Sequence, residues 1–192
     1  MKIREIFPDV LFAIEYDKDG VDIYRKLFAH EWNDIDGLIA FFEKYKSDIS
    51  DFLVQELEVD REESEQFAMV VFEEAENLEK HLRKCADNSR NGRSDGLDTM
   101  FKLYEGQFLE SKNIPCKCYG ENNPSMLRLY AIEITRRCYL IVYGGIKLQK
   151  TVQKSPVLRD EVDKRFSAIC SLLSRHLIED ENDIKDWKDE DL

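Results

Sequence analysis

The chain has 192 residues, of which 43% are hydrophobic, and a formal net charge of -12 at pH 7. This composition is ordinary for a globular protein, and no apolar run reaches the roughly 20 residues of a membrane span. The N-terminal residues mix charges with apolar side chains, and the five cysteines have no framework spacing. We therefore expect a cytoplasmic protein with free thiols, and we predict neither a metal site nor a cofactor.

The charge is unevenly distributed along the chain. Residues 1–97 have a net charge of -11, residues 98–178 of +5 and residues 179–192 of -6. Residues 134–159 contain six bases and no acid. A localised positive field attracts polyanions even on an acidic protein. Ion pairing between these bases and the acidic N-terminal half is an equally weighted alternative.

A strand is predicted near the N-terminus. Residues 10–17 are rich in strand-forming side chains and end at a turn signal, Asp17 to Gly20. The following residues, 21–32, could continue this strand as a hairpin.

Two helices are predicted next. The first follows an N-cap at Asn33 or Asp34 and has apolar residues at near-helical spacing up to about residue 53. The second covers residues 60–84, where one apolar stripe repeats at three- and four-residue steps. A polar loop is predicted over residues 87–96.

A short helix, a loop and a hairpin are predicted in the middle of the chain. Residues 97–108 favour the helix, and residues 115–125 favour the loop. Residues 127–134 and 138–148 are strand-like and are separated by three residues, which indicates an antiparallel hairpin. Its second strand is apolar throughout its centre, as in a strand covered on both faces.

A C-terminal helix is predicted from Ser155 as N-cap and Pro156 as first helical residue to about His176. Its expected buried stripe consists of Leu158, Val162, Phe166, Ile169, Leu173 and Leu177. The acidic, weakly apolar composition of residues 179–192 predicts a mobile acidic tail with one exposed aromatic residue, Trp187. Such a tail could solubilise the protein, or it could lie across the basic hairpin as an RNA mimic.

Four sequence features of the C-terminal half occur in a recognisable order. Arg128-Leu129-Tyr130-Ala131-Ile132 precedes an apolar strand, and Gly144-Gly145-Ile146-Lys147 follows that strand. Lys150-Thr151 comes next, and then Ser155-Pro156. In this order and spacing the segment resembles the RelE/HigB-like toxins of bacterial type II toxin-antitoxin modules.

The resemblance implies an α+β fold, with a small antiparallel RelE-like sheet packed with N-terminal helices and one C-terminal helix. Residues 1–178 would form a single domain, whose RelE-like segment covers about residues 98–178. Gly144 and Gly145 would allow a bulge or a close backbone approach where the apolar strand ends.

The resemblance also implies a metal-independent endoribonuclease that cleaves messenger RNA, often on the ribosome. In such chemistry the 2′-hydroxyl attacks the adjacent phosphate, so the protein must stabilise negative charge and transfer protons. Arg128, Lys147 and Lys150 are the candidate catalytic residues. The candidate RNA-binding residues are Tyr130, Arg136, Arg137, Tyr143 and Lys154.

Other roles remain open for some of these residues. Core packing is the alternative for the tyrosines, and a salt bridge to an acid of the N-terminal half is the alternative for Arg128. The expected partners are messenger RNA and a cognate antitoxin with a helix-turn-helix, and no membrane is expected. The alternative function is a non-catalytic interaction module with the same fold.

Overall fold

The computed structural model describes residues 1–16, 20–104, 113–151, 154–155, 158–188 and 190. Its strands are β1 (Lys2–Phe7), β2 (Leu11–Glu15), β3 (Lys102–Leu103), β4 (Ile114–Tyr119), β5 (Leu127–Thr135) and β6 (Cys138–Ile146). They form one six-stranded sheet in the order β1-β2-β6-β5-β4-β3.

The helices surround this sheet, which gives the chain an α+β fold. They are α1 (Ile23–Arg25), continued by a π-helix (Lys26–Glu31), α2 (Ile35–Lys44), a 3-10 turn (Lys46–Asp48), α3 (Asp51–Leu57), α4 (Ser64–Arg90), α5 (Leu97–Met100), α6 (Arg159–Arg175) and α7 (Glu181–Asp186). None of the described helices combines the length and the apolar composition needed to cross a membrane.

Each face of the sheet has its own hydrophobic core. Strand β5 shows this best, because its side chains alternate between the two faces. Leu129 and Ala131 pack with α2, α3 and α4 on one face. Tyr130 and Ile132 pack with α6 on the opposite face. We refer to this second surface as the α6 face.

Strands β2 and β6 are parallel, whereas all other neighbouring strands are antiparallel. The prediction of an antiparallel sheet is therefore wrong at this pair. The pairing runs only from Leu11 opposite Tyr139 to Ala13 opposite Ile141. A parallel pair needs a long connection, which residues 16–137 provide. Beyond Ala13 the two strands separate.

The β5–β6 hairpin and the central position of β6 confirm the sequence predictions. The predicted first strand is β2, although residues 17–19 of that segment lie outside the described part of the chain. The hairpin predicted over residues 21–32 is wrong. Asp22 instead begins a helix, since its side chain accepts a hydrogen bond from Arg25 N at 2.9 Å. The antiparallel partner of β2 is β1, which was not predicted.

Both N-terminal helices are present, but the first prediction is wrong in its length, because α2 ends at Lys44 and a separate helix, α3, begins at Asp51. Asp34 is the N-cap of α2 and accepts from Gly37 N at 3.1 Å. The second predicted helix is α4, which continues to Arg90 through the first residues of the predicted loop.

The region between α4 and the hairpin differs from its prediction. In this predicted helix, the described residues 97–104 form only the short α5 and then β3, and residues 105–108 lie outside the described chain. Residues 115–125 are not a single loop, because Ile114–Tyr119 forms β4 and pairs with β5 over six residues. A neighbouring strand here satisfies backbone groups that a loop would leave to water.

Helix α6 starts later than predicted. Leu158 is its N-cap residue, and Ser155 does not cap it. Pro156 lies outside the described residues. The predicted stripe is buried except at Leu177, which is 73% exposed. Leu177 has a φ of 55°, so the chain leaves the helix there and Ile178 becomes the buried residue instead.

The acidic C-terminal segment is not a mobile tail in its described part, and this prediction is wrong. Ile184 of α7 is fully buried. Lys188 Nζ lies 2.7 Å from Glu5 Oε2, and Lys188 forms a bridge to Ile3 of β1. Trp187 is partly buried and packs edge-on against His176, with ring centroids 4.2 Å apart. The described part of the segment therefore lies along β1, two strands away from β6.

Candidate functional site

Three cationic side chains from neighbouring β-elements gather on the α6 face. Arg128 near the start of β5 lies opposite Gly145 of β6 and opposite Tyr119 of β4. Lys147 follows β6 directly, and Lys117 lies two residues before Tyr119 on β4. Because alternate residues of a strand share a face, this register places all three cations on one side at one end of the sheet. We call Lys117, Arg128 and Lys147 the cation cluster.

Arg128 is fixed in position and only 5% exposed. Its Nη1 donates to the carbonyl oxygen of Ser125 at 3.0 Å, to Ser125 Oγ at 3.1 Å and to Leu127 O. Its guanidinium lies 4.4 Å from the centre of the Tyr119 ring. Burial lowers the pKa of Arg128. The site thus holds a largely dehydrated positive charge, which a neighbouring anion would stabilise.

The salt bridge considered for Arg128 is not observed. Among the described residues, none of the three clustered cations lies within 4.0 Å of a carboxylate oxygen. The bases Lys150, Lys154, Arg136 and Arg137 likewise form no ion pair with a described acid. The equally weighted alternative, neutralisation by the N-terminal half, is therefore wrong for these bases.

Glu74 of α4 supports the segment that positions Arg128. Its carboxylate is buried, and Oε2 accepts from Met126 N at 3.1 Å. Ser125 Oγ, which Arg128 contacts, accepts from Gly120 N at 2.9 Å. A Cβ atom on Gly120 would lie 1.8 Å from Glu74 Oε1, so a larger residue there would displace the Glu74 carboxylate. Burial raises the pKa of Glu74, and the charge of Arg128 opposes this only in part.

Lys147 is the group in the cluster that can exchange a proton near neutral pH. Burial, and then the positive charges of Arg128 and Lys117, lower the pKa of Lys147 to about 8. Roughly a tenth of Lys147 is then neutral at pH 7. Its Nζ donates to the carbonyl oxygen of Lys150 at 3.0 Å. This bond fixes the side chain near the end of β6, away from the β5–β6 turn.

Tyr130 presents a buried hydroxyl beside the cluster. It is fully buried, and its hydroxyl has no hydrogen-bond partner among the described residues. Its ring stacks on Tyr143 with centroids 6.3 Å apart. Burial raises the pKa of Tyr130, while the charge of Arg128 lowers it. The hydroxyl therefore stays protonated and can donate a hydrogen bond. Core packing, the alternative role, also applies to its ring.

The other predicted bases do not join the cluster. Arg136 and Arg137 lie at the turn between β5 and β6, about 25 Å along the strand from Arg128. The exposed Lys150 turns towards α3, with Nζ 5.6 Å from the centre of the Phe52 ring. Lys154 is exposed. Of the eight predicted residues, the structure brings together Arg128, Lys147, Tyr130 and Tyr143.

Sequence reasoning missed Lys117 and Tyr119. Both lie on β4. This segment was predicted to be a loop because turn-forming residues lie close to it. A weak signal was present in the alternation of Pro115, Lys117 and Tyr119 with the buried Cys116 and Cys118. This alternation is typical of a strand with two different faces.

A cavity of about 630 Å³ opens beside the cluster, where β2 and β6 separate. It is lined by Tyr16, Val21, Ile23, Lys26, Glu31, Trp32, Asp34, Gly37, Leu38, Phe41, Tyr143, Gly144, Gly145, Ile146, Glu161 and Arg165. The carboxyl ends of parallel strands are where open sheets bind ligands. Cavities of this size commonly bind small molecules.

Comparison with known proteins found no matching family model, no matching curated protein and no matching solved structure.

Proposed function

We propose that this protein is a RelE/HigB-like endoribonuclease that cleaves messenger RNA by attack of a 2′-hydroxyl on the adjacent phosphate, without a metal. The observation that carries the proposal is the cation cluster with its unpaired charges. Lys147 in particular has a pKa of about 8, close to the value at which a general base works best at neutral pH.

Each member of the cluster has a distinct task in this proposal. Neutral Lys147 accepts the proton of the 2′-hydroxyl as its oxygen forms a bond to phosphorus. Lys117 and the charge of Arg128 stabilise the negative charge that grows on the phosphate oxygens. The 5′-oxygen leaves with a proton taken from solvent water, since the hydroxyl of Tyr130 is fully buried. The products are a 2′,3′-cyclic phosphate and a 5′-hydroxyl.

The burial of Arg128 sets its role. Because only 5% of it is exposed, the more exposed Lys117 and Lys147 are better placed to contact the phosphate. Arg128 acts through its field, which both favours an anion and lowers the pKa of Lys147. A cognate antitoxin, expected to contain a helix-turn-helix, would hold the enzyme inactive, and the messenger RNA would be cleaved on the ribosome.

One observation favours the alternative, a non-catalytic interaction module of the same fold. Arg128 donates three hydrogen bonds within its own segment, which is also what a structural cation does. On this alternative, wild-type protein cleaves no RNA and instead co-purifies with the product of a neighbouring gene.

The test is cleavage of messenger RNA in a translating extract, with the new RNA ends identified. Wild-type protein should leave 2′,3′-cyclic phosphate and 5′-hydroxyl ends. Lys147→Ala should reduce the rate by about a hundredfold or more, because it removes the proton acceptor. The matched control is Arg136→Ala with Arg137→Ala, which removes two bases outside the cluster and should leave the rate within about threefold of wild type.

A wild-type protein that leaves the RNA intact contradicts the proposal, and so does full activity of Lys147→Ala. Equal loss in the control and in Lys147→Ala would show that general charge, rather than this cluster, is responsible.

A further inference from the structure

The cavity lies at the same end of the sheet as the cation cluster, and its wall includes Glu161 and Arg165 of α6 as well as residues of α1 and α2 from the opposite face. Gly145 in its wall is the register partner of Arg128. Tyr143, also in the wall, stacks on Tyr130, whose hydroxyl lies in the field of Arg128. A ligand in the cavity therefore lies beside any phosphate that the cluster binds.

The wall formed by β6 offers backbone hydrogen-bonding groups to a ligand. Tyr16 Oη donates to Val142 O at 2.7 Å from the β2 side, and Lys147 N donates to Met126 O at 2.7 Å on the β5 side. Backbone groups of a strand point alternately to its two sides. The N–H and C=O groups of Gly144 and Ile146 therefore point to the β2 side, into the space that β2 leaves open.

Flat surfaces suited to a planar ring flank this wall. Phe41 and Tyr143 are partly buried lining residues. The Arg165 guanidinium lies 4.0 Å from the centre of the Tyr16 ring and 5.7 Å from that of Tyr143. Aromatic rings and guanidinium planes are the surfaces on which proteins stack unpaired RNA bases.

Three carboxylates, those of Glu31, Asp34 and Glu161, line the cavity. Among the described residues, Glu31 forms an ion pair with Lys26 alone, and Lys26 Nζ is 3.8 Å from Oε1, beyond hydrogen-bond distance. Asp34 already accepts from Gly37 N, and Glu161 Oε2 accepts from Arg165 Nε at 3.3 Å. Glu31 is thus the carboxylate with both oxygens available to a ligand. Among the four RNA bases, guanine alone presents two adjacent N–H donors on its Watson–Crick edge. These two donors can pair with the two oxygens of a carboxylate.

We infer that the cavity binds one guanine base of the RNA, with Glu31 accepting from its N1 and N2 hydrogens, next to the phosphate held by the cation cluster. This inference rests on the proposed function, since it names the nucleotide that the same site selects. Glu31 here determines specificity and takes no part in the reaction.

The first test is direct binding of mononucleotides to the full chain. Guanosine 3′-monophosphate should bind about tenfold more tightly than uridine 3′-monophosphate, as expected for one well-formed bidentate contact. Amide chemical shifts should change at Gly144 and Ile146. Glu31→Gln should reduce the preference to within about twofold, because an amide cannot accept two hydrogen bonds in this geometry. Glu73→Gln is the control, since Glu73 is an exposed carboxylate outside the cavity.

The second test is cleavage of RNA oligonucleotides that differ only in whether guanine or uracil occupies the position beside the scissile phosphate. The wild type should prefer guanine, and Glu31→Gln should lose that preference while it still cleaves. Equal binding of the two mononucleotides overturns the inference, and so does a preference that survives Glu31→Gln. Selective guanosine binding without any cleavage supports the cavity assignment and contradicts the proposed function, so the two failures are distinguishable. Cleavage that ignores the base contradicts the inference alone.

Discussion

Replacement of Lys147 by methionine should stabilise the protein while it removes activity. The pKa of Lys147 falls from 10.5 to about 8 on folding, because the folded state disfavours its charge. A shift of this size corresponds to about 3.4 kcal/mol at neutral pH. Lys147 is partly exposed, so solvent screening reduces this figure, and methionine loses the hydrogen bond to Lys150 O. The expected net gain is about 1–2 kcal/mol at pH 7.

The assay is thermal and urea unfolding of Lys147→Met and wild type at pH 7 and pH 10. For a chain of this size the gain corresponds to a rise in Tm of about 3–6 °C at pH 7. The electrostatic cost is full below pH 8 and disappears as the pH rises through 10.5, so about a quarter of it remains at pH 10. The lost hydrogen bond does not depend on pH, so the stability advantage of Lys147→Met should be close to zero at pH 10. Lys150→Met, at an exposed site, is the control and should change stability by less than about 0.5 kcal/mol. The reasoning would be refuted if Lys147→Met were less stable than wild type at pH 7. It would also be refuted if the difference in free energy of unfolding between the two proteins did not change with pH.

Three further predictions concern the site and its support. The cleavage rate should rise about tenfold from pH 6 to pH 7 and level off above pH 8, as Lys147 becomes neutral; a rate independent of pH in this range contradicts its role as proton acceptor. Glu74→Leu should lower the free energy of unfolding by about 1–3 kcal/mol, since Met126 N loses its acceptor. Glu74→Gln, which keeps an acceptor oxygen, should cost less in the same urea titration, and equal costs would contradict this account. Ile184→Ala should destabilise the protein by about 2–4 kcal/mol in thermal unfolding, whereas a mobile C-terminal segment would give no change.

The hairpin was predictable because its two strands carry strong and different signals. Strand β5 alternates between the two faces of the sheet, and β6 is apolar without interruption because it lies between β2 and β5. Gly144 was also a correct signal of close approach, since a Cβ atom there would lie 2.4 Å from Leu27 Cδ1. Local pattern and tertiary environment agree at these positions.

The parallel position of β2 and the strand β4 could not be predicted from local pattern. The pairing of β2 with β6 joins residues more than 120 positions apart, and no local sequence feature specifies it. Strand β4 is followed closely by glycine, asparagine and proline, and these turn signals outweighed its own alternation. The acidic segment was misassigned for a related reason, because composition does not reveal that Ile184 packs against the core.

The candidate site was predictable in part. The lysine after the glycine pair and the arginine at the start of β5 lie together, because antiparallel pairing brings the end of one strand to the start of the other. Arg136 and Arg137 belong to the same acid-free segment, yet they lie at the opposite end of the hairpin. A count of charges along the sequence does not show which bases lie at which end of the hairpin, whereas the strand register does.

The most direct test of the central claim is the salt dependence of RNA binding. A single-stranded RNA with 2′-O-methyl groups, which cannot be cleaved by this chemistry, is titrated with protein across a series of salt concentrations. Lys117→Ala with Lys147→Ala should flatten the plot of log K against log salt by about 1.4, since two phosphate contacts are lost. Arg136→Ala with Arg137→Ala, which removes the same formal charge, should leave the slope unchanged. An unchanged slope in the first variant, or equal flattening in both, would contradict a phosphate site built from the cation cluster.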